Sequence, residues 1–149
     1  MTNKYAKEMQ PINYLVTEID AAFHEAARKL ELTDSAMLVL YGLCDQGTPC
    51  PLNDIIRLSG LRKQTVNSAL RKLEADGIVY LENLDRRKKR VCLTEQGKRL
   101  AEATVMQILQ IEDEIFSAWT QAERDSYLEL TRRYLTEFKA KTRDIRRLS

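Results

Sequence analysis

"KQTVNSALRKLEADGIVYLENLDRRKKRVCLTEQG", residues 63 to 97, carries three kinds of signal in succession. From Lys63, the apolar residues Val66, Ala69, Leu70 and Leu73 recur at the spacing that gathers side chains on one side of a helix. Gly77 then supplies the left-handed residue on which helices commonly end. "IVYLE" and "RVCLT" are β-prone runs and read as the two strands of a hairpin. From Asp85 the chain runs through five consecutive cations, Arg86, Arg87, Lys88, Lys89 and Arg90, the last of which opens the second run. Adjacent like charges repel, so this block belongs at the hairpin's tip, projecting into water or onto something negative.

Upstream, "TPCPLNDIIRLSG" places Pro51 where a first helical turn tolerates it and stops the helix at Ser59-Gly60 after about two turns. This short helix and the one from Lys63, joined by a tight glycine-containing turn, form a helix-turn-helix outline. Before them, Thr33 is placed to cap a mostly buried helix that ends near Gly47. Residues 10 to 30 form a first helix with Ile12, Leu15, Ile19, Phe23, Ala26 and Leu30 along one side. Downstream, Thr94 caps a long helix expected to reach about Ala118. Thr120 and Glu123 have capping-box spacing before a last helix striped by Tyr127, Leu130, Tyr134, Leu135 and Phe138.

The 149 residues, 44% of them hydrophobic, fit one domain with appendages. The expected fold is mainly α with a small β-hairpin wing. Its winged part spans about residues 33–100, and long helices at about 8–31 and 101–147 carry apolar stripes that lack a partner within the chain. A second copy is the simplest partner for them. "MTNKYAKEMQ" has no apolar signal core, and the longest nearly apolar run, "AMLVLYGLC", is far below the roughly 20 residues of a membrane span. A cytoplasmic protein without membrane attachment is expected. Cys44, Cys50 and Cys92 are an odd number without disulfide spacing, which suits a reducing compartment. Charge is unevenly spread: residues 57–100 hold 12 Lys and Arg against 5 Asp and Glu, while the segments on either side are net acidic.

In this order of elements the chain resembles the winged helix of MarR-family transcriptional regulators. "KQTVNSALRKLEADGIVYLE" is similar to that family's recognition helix running into its first wing strand, and "DRRKKRVCLTEQG" resembles its D-x-R wing followed by L-T-x-x-G. The motif-bearing match covers about residues 52 to 100. The resemblance implies a homodimer on a pseudo-palindromic duplex, with each recognition helix in a major groove and each wing on the flanking minor groove. It also implies repression relieved by a small ligand bound between dimerisation helices and winged domain, for which Tyr14, His24, Tyr41 and Trp119 are candidates that core packing or a dimer seam accounts for equally.

The residue chemistry agrees with that expectation. Lys63, Gln64, Thr65, Asn67, Ser68 and Arg71 lie on or near one side of the recognition helix's first turns; Gln64 and Asn67 suit adenine, Arg71 suits guanine or phosphate, and Thr65 or Ser68 suits phosphate. Arg87 matches the family's minor-groove arginine and Asp85 the carboxylate that aims it, leaving Arg86, Lys88, Lys89 and Arg90 for phosphates or solvent. No P-loop, G-x-S-x-G or HExxH is present, and His24 is the single histidine, so neither catalysis nor a metal site nor a cofactor is expected. Two other readings are an oxidant sensor, in which a helix start lowers the pKa of Cys50, and a winged helix that binds a protein in place of DNA.

Overall fold

The computed structural model describes residues 2 to 148, which fall into two compact units divided between Leu109 and Gln110. In the first, α1 (Lys4–Glu8) precedes α2 (Gln10–Lys29), which carries Pro11 in its first turn and buries only Ala27. Glu31 turns the chain with a φ of 57°, and α3 (Asp34–Gln46) begins where the Thr33 hydroxyl accepts from the Ala36 N–H at 3.1 Å. That bond satisfies one of the donors a helix start leaves open. β1 (Cys50–Pro51) leads into α4 (Leu52–Ser59), so Pro51 stands at the N-cap position, just outside the first turn. Gly60, at φ 67°, makes the turn into α5 (Lys63–Ala75).

β2 (Val79–Asp85) and β3 (Lys88–Leu93) pair antiparallel, and β1 adds to the other edge of β3, giving the order β1-β3-β2. The third strand has no signal of its own in the sequence because it is two residues long and exists only through the pairs Cys50↔Val91 and Pro51↔Arg90. The wing is also longer than expected. Lys88, Lys89 and Arg90 are strand residues, and only Arg86 and Arg87 form the turn. A strand tolerates such a run because successive side chains alternate between its faces.

Leu40, Leu43, Ile55, Val66, Val79 and Val91 are fully buried and form the core on which α5 and the wing are seated. α6 (Glu95–Ala103) starts at Thr94, whose hydroxyl donates to the Gly77 carbonyl at 2.6 Å and accepts from Gly97 N–H at 2.9 Å. Gly97 faces the wing's base so closely that a β-carbon there would stand 2.0 Å from the Ile78 carbonyl oxygen. The single long helix expected as far as Ala118 is broken at Thr104, between α6 and α7 (Val105–Ser117). The buried Thr104 hydroxyl donates to the Leu100 carbonyl at 2.6 Å, the back-bonding by which threonine competes with the helix ladder.

In the second unit, α8 (Gln121–Thr142) carries the expected capping box: the Thr120 hydroxyl accepts from Glu123 N–H at 3.1 Å, and the Glu123 carboxylate accepts from Thr120 N–H at 2.9 Å. Trp119 packs edge-on against both Phe116 and Tyr127, and Arg124 donates to the Phe116 and Trp119 carbonyls. Tyr127, Leu130, Tyr134, Leu135 and Phe138 are all exposed along α8, and Ile12, Leu15 and Ile19 are exposed along α2. No helix among the described residues is long and apolar enough to cross a membrane.

Candidate nucleic-acid interface

Helix α5 has two unlike sides. Val66, Leu70 and Leu73 are buried and Ala69 is half-buried against the core, which fixes the helix's rotation about its axis. Lys63, Gln64, Thr65, Ser68 and Arg71 are left exposed and Asn67 half-exposed. Arg71 donates to the Ser68 hydroxyl at 3.4 Å, one turn earlier.

The wing stands beside this helix, and a groove of about 1120 Å³ lies between them. Lys63, Gln64, Asn67 and Arg71 line it from α5, Arg87, Lys88 and Lys89 from the wing, and Leu52 and Asn53 from the start of α4. Seven of the residues predicted to contact DNA are therefore brought together. Thr65, Ser68, Asp85 and Arg86 do not line the groove. Among the described residues, Lys63, Arg87, Lys88 and Lys89 have no ion-pair partner; of the two carboxylates lining the groove, Asp54 is tied to Arg57 at 3.6 Å, and Glu74 leaves the lining with more cations than anions. Unneutralised cations on opposite walls make the concavity a site for a polyanion.

The wing's details depart from the expectation in two places. The Asp85 carboxylate accepts from the backbone N–H of Arg86 at 2.7 Å, so it closes the turn and does not grip the Arg87 side chain. Arg90 is drawn to the opposite strand: its guanidinium is bonded to the Glu82 carboxylate there at 2.5 Å. Local spacing showed the charges but not which of them would meet each other across the sheet.

Sequence reasoning also missed the groove's apolar part. The register runs Asn83↔Lys89 and then Asp85↔Lys88, which leaves Leu84 as the extra residue of a β-bulge. Leu84, 49% exposed, lines the groove with Leu81. The detectable signal was one leucine in an otherwise charged and polar segment, "ENLDRRKKR".

The residues proposed for other chemistry are scattered. Tyr14 is exposed on α2, within 3.4 Å of the Gln10 side chain, His24 pairs with Asp34 at 2.7 Å, and Tyr41 packs partly buried against the core. None of these lines the groove. Cys50 is 1% exposed, and burial, reinforced by the negative charge of Asp54, pushes its thiol above the ordinary value. The helix start does not lower it, contrary to expectation. Among the described residues no group of three or more His, Cys, Asp or Glu is arranged to hold a metal ion.

A three-helix core with a helix-turn-helix and a cationic β-hairpin beside its second helix defines the winged helix-turn-helix class. Residues 30–90, which hold most of the winged helix-turn-helix, match the family model of the MarR family. None of the curated proteins is similar enough to count as a match. Among solved structures, the chain is similar to BpsR of Bordetella bronchiseptica, described for the regulation of its DNA binding by 6-hydroxynicotinic acid. The two are 27% identical with a TM-score of 0.60, over 83% of this chain and 97% of that one. It is also similar to NMB1585, a MarR family regulator from Neisseria meningitidis, at 25% identity and a TM-score of 0.73 over 91% of this chain and 95% of that one. The S. aureus MepR–DNA complex shares the fold, at 22% identity and a TM-score of 0.62 over 93% and 98% of the two chains.

Proposed function

We propose that this chain is a sequence-specific DNA-binding transcriptional regulator that acts as a homodimer on a pseudo-palindromic duplex. The observation that carries the reading is the groove between α5 and the wing. In duplex DNA one sugar-phosphate strand separates each major groove from the adjacent minor groove. A protein that puts a helix in one and a hairpin in the other must receive that strand between them. The groove has cations on both walls for the phosphates, and Leu81 and Leu84 offer apolar surface to the sugars.

On this reading Gln64 and Asn67 contact base edges in the major groove, each able to present a donor and an acceptor to adenine. Lys63, Arg71, Lys88 and Lys89 serve phosphates, with Thr65 and Ser68 as neutral phosphate contacts at the outer side of α5. Arg87, at the wing's turn and without a protein partner among the described residues, enters the minor groove, where a narrow A·T tract concentrates negative potential. Arg86 lies beside it, held by Asp85 through its backbone.

The dimer is inferred from the exposed apolar residues of α2 and α8. Repression released by a small molecule is the finer part of the proposal. It is supported by the likeness to BpsR, whose DNA binding is regulated by 6-hydroxynicotinic acid. Tyr14, His24 and Tyr41 remain the proposed effector contacts, apart from the groove. The oxidant-sensing alternative loses its chemical basis, because a buried thiol with a raised pKa carries little of the reactive thiolate at neutral pH.

Sequencing the DNA that copurifies with the protein, then measuring binding to the recovered fragment and to a scrambled duplex, tests the reading. Enrichment of an inverted-repeat sequence, bound more tightly than its scramble, is the expected result. Equal recovery of all genomic sequence, or no duplex binding, overturns it.

A further inference from the structure

Of the five consecutive cations, Arg90 is set apart by its place in the sheet. It is the last residue of β3 that is paired on both sides, with Pro51 of β1 and with Glu82 of β2. Toward the tip the three-stranded sheet becomes a two-stranded ribbon, and the β-bulge at Leu84 follows after one more pair, Asn83 with Lys89. Two-stranded ribbons twist more than sheets, and a bulge bends the strand that carries it. The direction in which the wing leaves the sheet is therefore decided at Arg90.

The Glu82–Arg90 ion pair spans the strands at that point, one residue along from the Leu81–Val91 pair and so on the other face of the sheet. Both guanidinium nitrogens Nε and Nη2 reach the Glu82 Oε2 at 2.5 Å, and both side chains are a little over one-third exposed. Arg90 does not line the groove that holds Lys88 and Lys89. A charge-assisted bond of this kind fixes geometry as well as adding energy.

We propose that Arg90 is a positioning residue and not a DNA contact: with Glu82 it forms a strut at the root of the wing that aims Arg87. The inference rests on the DNA-binding function proposed above. It makes a prediction opposite to simple charge counting. Removing the Glu82 carboxylate takes a negative charge away from a DNA-binding wing, yet it weakens binding, because the wing loses its strut.

The test compares Glu82→Thr and Arg90→Thr, both of which keep a strand-favouring residue, with the charge-reversed pair Glu82→Arg/Arg90→Glu. Two quantities are read: affinity and salt slope on the duplex recovered with the wild-type protein, and amide hydrogen exchange of Asn83, Lys88 and Lys89 in the DNA-free protein. Each single variant is expected to bind about two- to fivefold more weakly with an unchanged salt slope and to exchange faster in the wing, as suits a partly exposed pair. The reversed pair is expected to recover both. Tighter binding by Glu82→Thr together with a salt slope lowered by about one in Arg90→Thr would make Arg90 a phosphate contact and overturn the strut. Unchanged wing exchange in both single variants overturns it too. Failure of the wild-type protein to bind any duplex instead overturns the regulator reading, while the exchange measurement still decides whether the strut exists.

Discussion

The winged region and the two long helices α2 and α8 expose opposite chemistry. Helix α5 buries Val66, Leu70 and Leu73 and turns Lys63, Gln64 and Arg71 outward, whereas α8 leaves Tyr127, Leu130, Tyr134 and Phe138 uncovered. Each exposed surface indicates what would cover it. Unpaired cations around a groove fit a polyanion, and rows of exposed aromatic and aliphatic side chains fit another apolar surface. A chain with both surfaces is suited to joining a second copy of itself to DNA, and breaking either surface should leave the other intact.

The largest effect is expected on the apolar side. Leu130→Glu removes two leucines from the proposed dimer seam and inserts two carboxylates, at a cost of roughly 3–6 kcal/mol, or at least about a hundredfold in dimer dissociation. Sedimentation should show monomers at concentrations where the wild type is dimeric, with helix content retained. An unchanged sedimentation coefficient would remove α8 from the seam.

Gly97→Ala tests how firmly the wing is seated. The added β-carbon would meet the Ile78 carbonyl, a backbone group that cannot swing aside, so a loss of about 3 kcal/mol in thermal or denaturant unfolding is expected. A shift within experimental error would show that α6 can move away from the wing's base freely.

Gln64→Ala and Asn67→Ala address the polar side alone. Each should cost about 1–3 kcal/mol at the base pair it reads and little on random duplex, in binding measured across single-base variants of the recovered site. Equal losses on both kinds of DNA would reassign these residues to phosphate. The smallest effect belongs to Cys50. Because burial and Asp54 raise its pKa, the thiol stays protonated at neutral pH, and peroxide at pH 7 should leave DNA binding unchanged.

What could be read from the sequence was the locally determined part. Thr33, Thr94 and the Thr120–Glu123 box were legible because a cap hydroxyl and the N–H it accepts from lie within three residues of each other. The buried side of α5 followed from its spacing, and so did the residues opposite it. The illegible features depend on distant partners. β1 exists through Val91 and Arg90, some forty residues on in the chain, and Arg90 is drawn out of the basic block by Glu82 across the sheet. Asp85 had a charged neighbour on the sequence but bonds a backbone N–H in the fold. The break at Thr104 was hidden because a helical threonine gives no sign of which carbonyl its hydroxyl will take. Cys50 looked activated beside a helix start until its burial was known.

The central claim is that the wing probes a minor groove while α5 occupies the neighbouring major groove, and Arg87 tests it most directly. Binding of wild type and Arg87→Ala should be compared on two duplexes that share the recovered site but differ in A·T-rich or G·C-rich flanks, each over a range of salt concentrations. The account predicts a loss on the A·T-flanked duplex several times larger than on the other, since a narrow groove concentrates the potential an inserted arginine feels. Lys88→Ala, which would take a cation away from a phosphate, should weaken both duplexes alike and lower the salt slope by about one for each phosphate left unneutralised. Equal affinities of wild type and Arg87→Ala on both duplexes would contradict the account and take Arg87 out of the minor groove.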